Sequence, residues 1–247
     1  MSEAARTPSI VPLVATVAAA CLLLGGGLGW LLAHGRPAPR AAPPVLFRAP
    51  RYQGLLNQQG RPVSSAAFAG KVQVVSFLFP YCNTFCPVIA AHLVAFENAL
   101  AGSPLAGKVE VVAFNVDPGG TGPKQMRAFL REYGWNPADP RWQYLTGTPK
   151  RVRQVVTGGF HVDYQKVFDS ASAAAPQSAA LAVAGSDPQP IVANPLADKA
   201  NVPYDITHED VLMVVDPEGR VRAIYDQADA VGTSALLRVV QAVAGGH

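Results

Sequence analysis

Two apolar runs, each followed by a helical pattern, constrain this chain most. "KVQVVSFLF" (residues 71–79) and "KVEVVAFNVD" (108–117) read as buried strands. After the first, Ile89, Leu93, Phe96 and Leu100 recur at spacings of three and four, which predicts a helix over about 86–100. After the second, "GPKQMRAFLREYG" predicts another helix, with Pro123 near its start and Gly134 at its end. "WQYLTG" predicts a short strand, and "TPKRVRQVVTGG" a helix capped by Thr148 with Pro149 in its first turn. A hairpin turning at Gly60 is expected in "GLLNQQGRPVS". Towards the end, "VLMVVDPEGRVRAIYD" gives two strands around a turn at 217–219, and "VGTSALLRVVQAVA" a closing helix.

Strands alternating with helices, then a hairpin and a last helix, predict an α/β sandwich with a mixed β-sheet of thioredoxin type. With 247 residues, 49% of them hydrophobic, the chain can bury one main core. Its net charge of +3 is small, and its Lys and Arg residues are scattered, so no nucleic-acid partner is expected.

The ends differ from the middle. After a short tail (1–9), residues 10–33 form 24 positions without a charge, enough for one transmembrane helix, which needs about 20. A cleaved signal peptide is the rival reading, but its apolar core is usually shorter. Cys21 falls inside this stretch and reads as an ordinary membrane-facing thiol. Residues 34–50 are a Pro- and Ala-rich spacer, and 51–247 the main domain. Within it, residues 170–200 are rich in Ala, Ser and Pro and read as a long surface insertion. Arg6 precedes the apolar stretch, whereas Arg36, Arg40, Arg48 and Arg51 follow it; a positive-inside count alone would keep the main domain cytoplasmic.

Chemistry concentrates in "FPYCNTFCPVI". Cys82 and Cys86 stand four residues apart where a strand hands over to a helix. If the helix begins early they share one face, with Cα atoms about 6 Å apart. A helix amino terminus favours thiolate, the form needed for metal binding and for exchange. Spacing alone leaves four readings open: metal ligands, a redox pair, a structural disulfide, or two small packed residues. His34, His92, His161 and His247 have no spaced partner of the kind a second metal site needs.

"GKVQVVSFLFPYCNTFCPVIAAHL", "NVDPGGTGPKQMRAFLREYG", "WQYLTGTPKRV" and "ITHEDVLMVVDPEGRVRAIY", in that order, resemble the Sco/SenC family. These are membrane-anchored thioredoxin-fold proteins that assist copper-centre assembly in cytochrome c oxidase. The likeness runs from about Tyr52 to the carboxyl end, interrupted by 170–200. It implies a metal site of Cys82, Cys86 and His208 holding one copper ion as Cu(I) or Cu(II), a donor set suited to both. It also implies two kinds of partner, the copper-centre subunit of the oxidase and another copper chaperone. The implied location is the bacterial inner membrane, with the main domain on the periplasmic side against the Arg count. The alternative function is a thiol-disulfide oxidoreductase that reduces the cysteines of an apo copper site, with Cys82 and Cys86 as its catalytic pair. The chain departs from the family at Asn83, Thr84 and Phe85, where Pro and Asp are usual, and at Thr121, where a second acidic residue is usual after Asp117. Asp117 itself reads equally as a strand-end turn residue or a functional group.

Overall fold

The computed structural model describes Cys21, Gly26 and residues 41–168, 194–196 and 202–245. The chain divides into two units, 1–40 and 41–247, and the fold is that of the second. Apart from Cys21 and Gly26, the expected transmembrane segment lies outside the described residues, as does most of the insertion at 170–200. Among the described residues, no helix is long and apolar enough to cross a membrane.

A six-stranded mixed sheet forms the centre. Its middle strands are β4 (Val72–Leu78) and β5 (Val109–Asn115), the two apolar runs, paired in parallel from Val72 opposite Val109 to Leu78 opposite Asn115. Val74, Val75, Val111 and Val112 are fully buried, as expected for strands covered on both faces. β6 (Trp142–Leu145) continues the parallel side; β9 (Leu212–Val215), β10 (Arg220–Tyr225) and β1 (Phe47–Arg48) add antiparallel strands beyond β4, giving the order β1-β10-β9-β4-β5-β6. Phe77, Phe114 and Phe160 join the layers, with ring centroids 5.3–5.9 Å apart.

Four helices follow in the expected places: α1 (Cys86–Ala101), α2 (Pro123–Glu132), α3 (Pro149–Val155) and α4 (Thr233–Gly245). Thr148 caps α3, its hydroxyl accepting from the Arg151 amide at 3.3 Å. α3 does not run on through "VTGG" as a plain helix. Residues Val156–Phe160 widen into a π-turn ending at His161 in the left-handed region (φ 62°).

Three short strands were not marked by periodicity. β1 lies inside the stretch read as a spacer, yet the amides of Leu46 and Ala49 donate to the carbonyls of Val221 and Gly219 at 2.9 Å. β7 (Tyr164–Val167) and β8 (Asp205–His208) pair as an antiparallel ribbon, Tyr164 opposite His208. The residues between them include the insertion, so it joins the two strands of the ribbon that carries His208. The hairpin of β2 (Leu55–Leu56) and β3 (Pro62–Val63) forms as expected, with Gly60 at φ +77°.

Candidate metal centre

β4 ends at Leu78 and α1 begins at Cys86, with Pro87 in its first turn. Cys82 therefore sits on the loop before the helix rather than on a face shared with Cys86. The loop turns back on itself, the Cys82 amide donating to the Phe79 carbonyl at 3.1 Å. From the other side, β8 delivers His208. The two sulfurs and a ring nitrogen of His208 all lie within 4.8 Å of one another. Among the described residues this is the one cluster of three or more Cys, His, Asp or Glu side chains close enough to hold a metal ion. Cys82 and Cys86 are free thiols, 2% and 0% exposed, and His208 is 8% exposed.

The tautomer of His208 follows from its neighbours. Nδ1 lies 3.0 Å from the Glu209 carbonyl, which can only accept, so Nδ1 carries the proton. In the neutral ring the lone pair is then on Nε2, 3.5 Å from Cys86 Sγ. The ring packs edge-on against Phe85, centroids 4.8 Å apart, which fixes its plane.

The thiols are unequal. A hydrogen bond from Cys86 holds Cys82 well below the ordinary thiol range; burial opposes this, and Thr84 reinforces it. Burial pushes Cys86 well up, helped by the neighbouring Cys82 sulfur. Of the pair, Cys82 is the readier to ionise and Cys86 the readier to keep its proton. Two sulfurs and one imidazole suit a thiophilic ion such as Cu(I), and three ligands leave room for an incoming one.

Two residues at which the chain departs from the family, Thr84 and Phe85, touch the ligands. Thr84 Oγ1 is 3.2 Å from Cys82 Sγ, and Phe85 supports the His208 ring. Thr121 is buried, its Oγ1 2.9 Å from the Asp117 carbonyl and 3.1 Å from Asn115 Oδ1, so it closes the turn after β5. Asp117 is outside the three-ligand cluster. Tyr204 donates to its Oδ2 at 2.8 Å, and Lys166 pairs with its Oδ1 at 3.0 Å. Asp117 therefore ties the end of β5 to the ribbon bearing His208, while its carbonyl accepts from the amides of Gly120 and Thr121. His92 and His161 lie outside the cluster; His161 packs against Phe47.

Asn194, inside the stretch read as surface insertion, is 3% exposed. Its side-chain amide donates to the carbonyls of Pro80 and Cys82 at 3.0 and 2.7 Å. The Asn-Pro pair at 194–195 is an ordinary turn signal and does not by itself point to the cysteine loop.

Residues 49–195 match the SCO1/SenC family profile, a stretch that includes both cysteines and stops short of His208. A SCO1 protein homolog of Bacillus subtilis is 33% identical over 91 residues, 37% of this chain and 45% of that relative, so less than half of the relative's length is spanned. Among solved structures, a SCO1/SenC family lipoprotein from Bacillus anthracis superposes with a TM-score of 0.60 at 20% identity, covering 83% of this chain and 99% of the other. ScoI of Bradyrhizobium japonicum, solved with copper bound, does so with a TM-score of 0.57 at 18% identity, covering 79% and 99%. At these identities the superpositions speak for the fold, here the thioredoxin-like one. A profile match over more than half its length, carrying the loop and helix of Cys82 and Cys86, makes this chain a member of the SCO1/SenC family.

Proposed function

We propose that this protein is a membrane-anchored copper metallochaperone that assists assembly of the copper centre of cytochrome c oxidase. The observation that carries this reading is the buried cluster of Cys82, Cys86 and His208. Copper is its cargo. Cys82 offers a thiolate, Cys86 a thiol whose proton leaves on binding, and His208 an unprotonated Nε2. The copper-bound relative from Bradyrhizobium japonicum supports the choice of ion. A three-ligand site lets a partner's thiolate or imidazole enter before the first ligand leaves, which suits handing the ion on. The partners in this reading are the copper-centre subunit of the oxidase and another copper chaperone that supplies the ion. Residues 10–33 anchor the domain in the bacterial inner membrane, residues 34–45 link it, and the domain faces the periplasm. A compartment-specific reporter fused to the carboxyl terminus tests that orientation; a cytoplasmic signal would contradict it.

The inequality of the two thiols favours a second reading, the thiol-disulfide reductant. The Cys82 thiolate would attack a partner's disulfide, releasing one partner thiolate and forming a mixed disulfide. Cys86, losing its proton, would then displace the second, leaving the partner dithiol reduced and Cys82–Cys86 oxidised. One experiment separates the two: copper-loaded and metal-free protein are each mixed with reduced and with oxidised apo copper-centre domain of the oxidase. The chaperone transfers copper to the reduced domain and needs His208; the reductant reduces the oxidised domain without metal and tolerates His208→Ala. Copper that stays on the loaded protein would overturn the chaperone reading.

A further inference from the structure

Asn194 stands 112 residues from Cys82 in sequence, yet its side chain is buried against the loop bearing that cysteine. Backbone carbonyls accept and never donate, so the contacts at 3.0 Å to Pro80 and 2.7 Å to Cys82 require the amide nitrogen on that side. The amide oxygen accepts from the Leu196 backbone at 3.1 Å, an Asx turn that holds the side chain from behind. All three bonds agree on one orientation. An Asp there would place oxygen against two carbonyls, and an Ala would leave both without this donor.

The bridged carbonyls flank Tyr81 and belong to the segment that sets where Cys82 points. We infer that Asn194 is a positioning residue for the metal centre: its amide clamps the Cys82 loop in the dithiol arrangement, so the far end of the insertion governs how firmly the site holds its ion. This rests on the copper reading above. Both thiols are free in the clamped arrangement, so the same clamp opposes Cys82–Cys86 disulfide formation.

The full chain and its Asn194→Ala and Asn194→Asp variants test the clamp through three readouts: Cu(I) affinity against a competing chelator, the thiolate-to-Cu(II) charge-transfer band at saturating copper, and the Cys82–Cys86 disulfide equilibrium in glutathione buffers without metal. Partners that orient metal ligands typically contribute 10- to 100-fold to affinity, so each variant should lose about that much Cu(I) affinity and show an altered band at saturation. The disulfide should become favoured about tenfold, equivalent to about 30 mV for a two-electron couple. Affinity, band and disulfide equilibrium all within twofold of wild type would overturn the proposal. So would unfolding of both variants, which would make Asn194 a residue of the fold rather than of the site. Failure of wild type to bind copper would instead count against the copper reading, and the metal-free disulfide arm would still decide the clamp.

Discussion

His208 donates through Nδ1 to the Glu209 carbonyl, and that bond decides what Nε2 can do. With that proton committed, the neutral ring keeps its Nε2 lone pair 3.5 Å from Cys86 Sγ, the state a metal ligand needs. The thiols are divided in the same way, and Thr84 is part of the division. Its hydroxyl lies 3.2 Å from the Cys82 sulfur and lowers that thiol by donating to it when it is ionised; a hydrogen bond to a charged group contributes about 1.5–3 kcal/mol. Thr84→Val should therefore move the thiolate absorbance titration of Cys82 upward and lower the melting midpoint by several degrees at pH values where Cys82 is ionised; an unmoved titration would contradict this role for Thr84. Away from the site, burial pushes the Glu97 carboxyl up to about 7, while Arg141 at 3.3 Å pulls the other way. The folded chain then binds this proton more tightly than the unfolded chain. The resulting stability is fully present below the ordinary value of 4.5 and is lost as the pH rises through about 7. Glu97→Gln should flatten the fall of the melting midpoint across that window, and parallel profiles for the two proteins would contradict this.

Among the elements, the β7–β8 ribbon matters most, because it holds His208 over α1 without belonging to the main sheet. It is braced at Asp117 by Tyr204 and Lys166, and Lys166 also lies 3.5 Å from the Tyr204 ring centroid. A Cβ on Gly120 would overlap both Tyr204 Oη and Asp117 Oδ2, so only glycine leaves room for the brace. Gly120→Ala should cost about 1–3 kcal/mol by calorimetry and weaken metal binding with it; a variant as stable as wild type would show that the brace is slack. The ribbon also marks where the sequence stopped being legible. β4, β5 and the four helices announce themselves because each element's pattern is local. β7 and β8 are four residues each, and their pairing spans an insertion whose composition hides it. β1 is two residues long and exists because β10 offers it a free edge. At the site, spacing drew attention to Cys82 and Cys86 but left four chemistries open, and His208 was found through the family resemblance. Asn194 gave no chemical signal at all, since its role depends on where two carbonyls fall in space.

For the whole molecule, the sheet is a platform and the chemistry sits at its margin, on a loop, a helix start and the ribbon. The buried central strands β4 and β5 hold the segments leading to Cys82 and Asp117, and the ribbon that carries His208 is tied to Asp117. Anything that binds the folded chain and spares the unfolded one adds stability by mass action. Free copper at a thousand times its dissociation constant adds about 4 kcal/mol. For a domain of this size that raises the melting midpoint by roughly 10 °C, and the rise should vanish in a Cys82→Ser, Cys86→Ser double variant. A midpoint unmoved by copper would mean that metal and fold are not coupled. The central claim, that Cys82, Cys86 and His208 together hold one copper ion, is tested most directly by titrating the reduced full-length protein with Cu(I) against a competing chelator. The account predicts one ion per chain in the wild type, none in Cys82→Ser and weakened binding in His208→Ala; the same stoichiometry and affinity in all three proteins would contradict it.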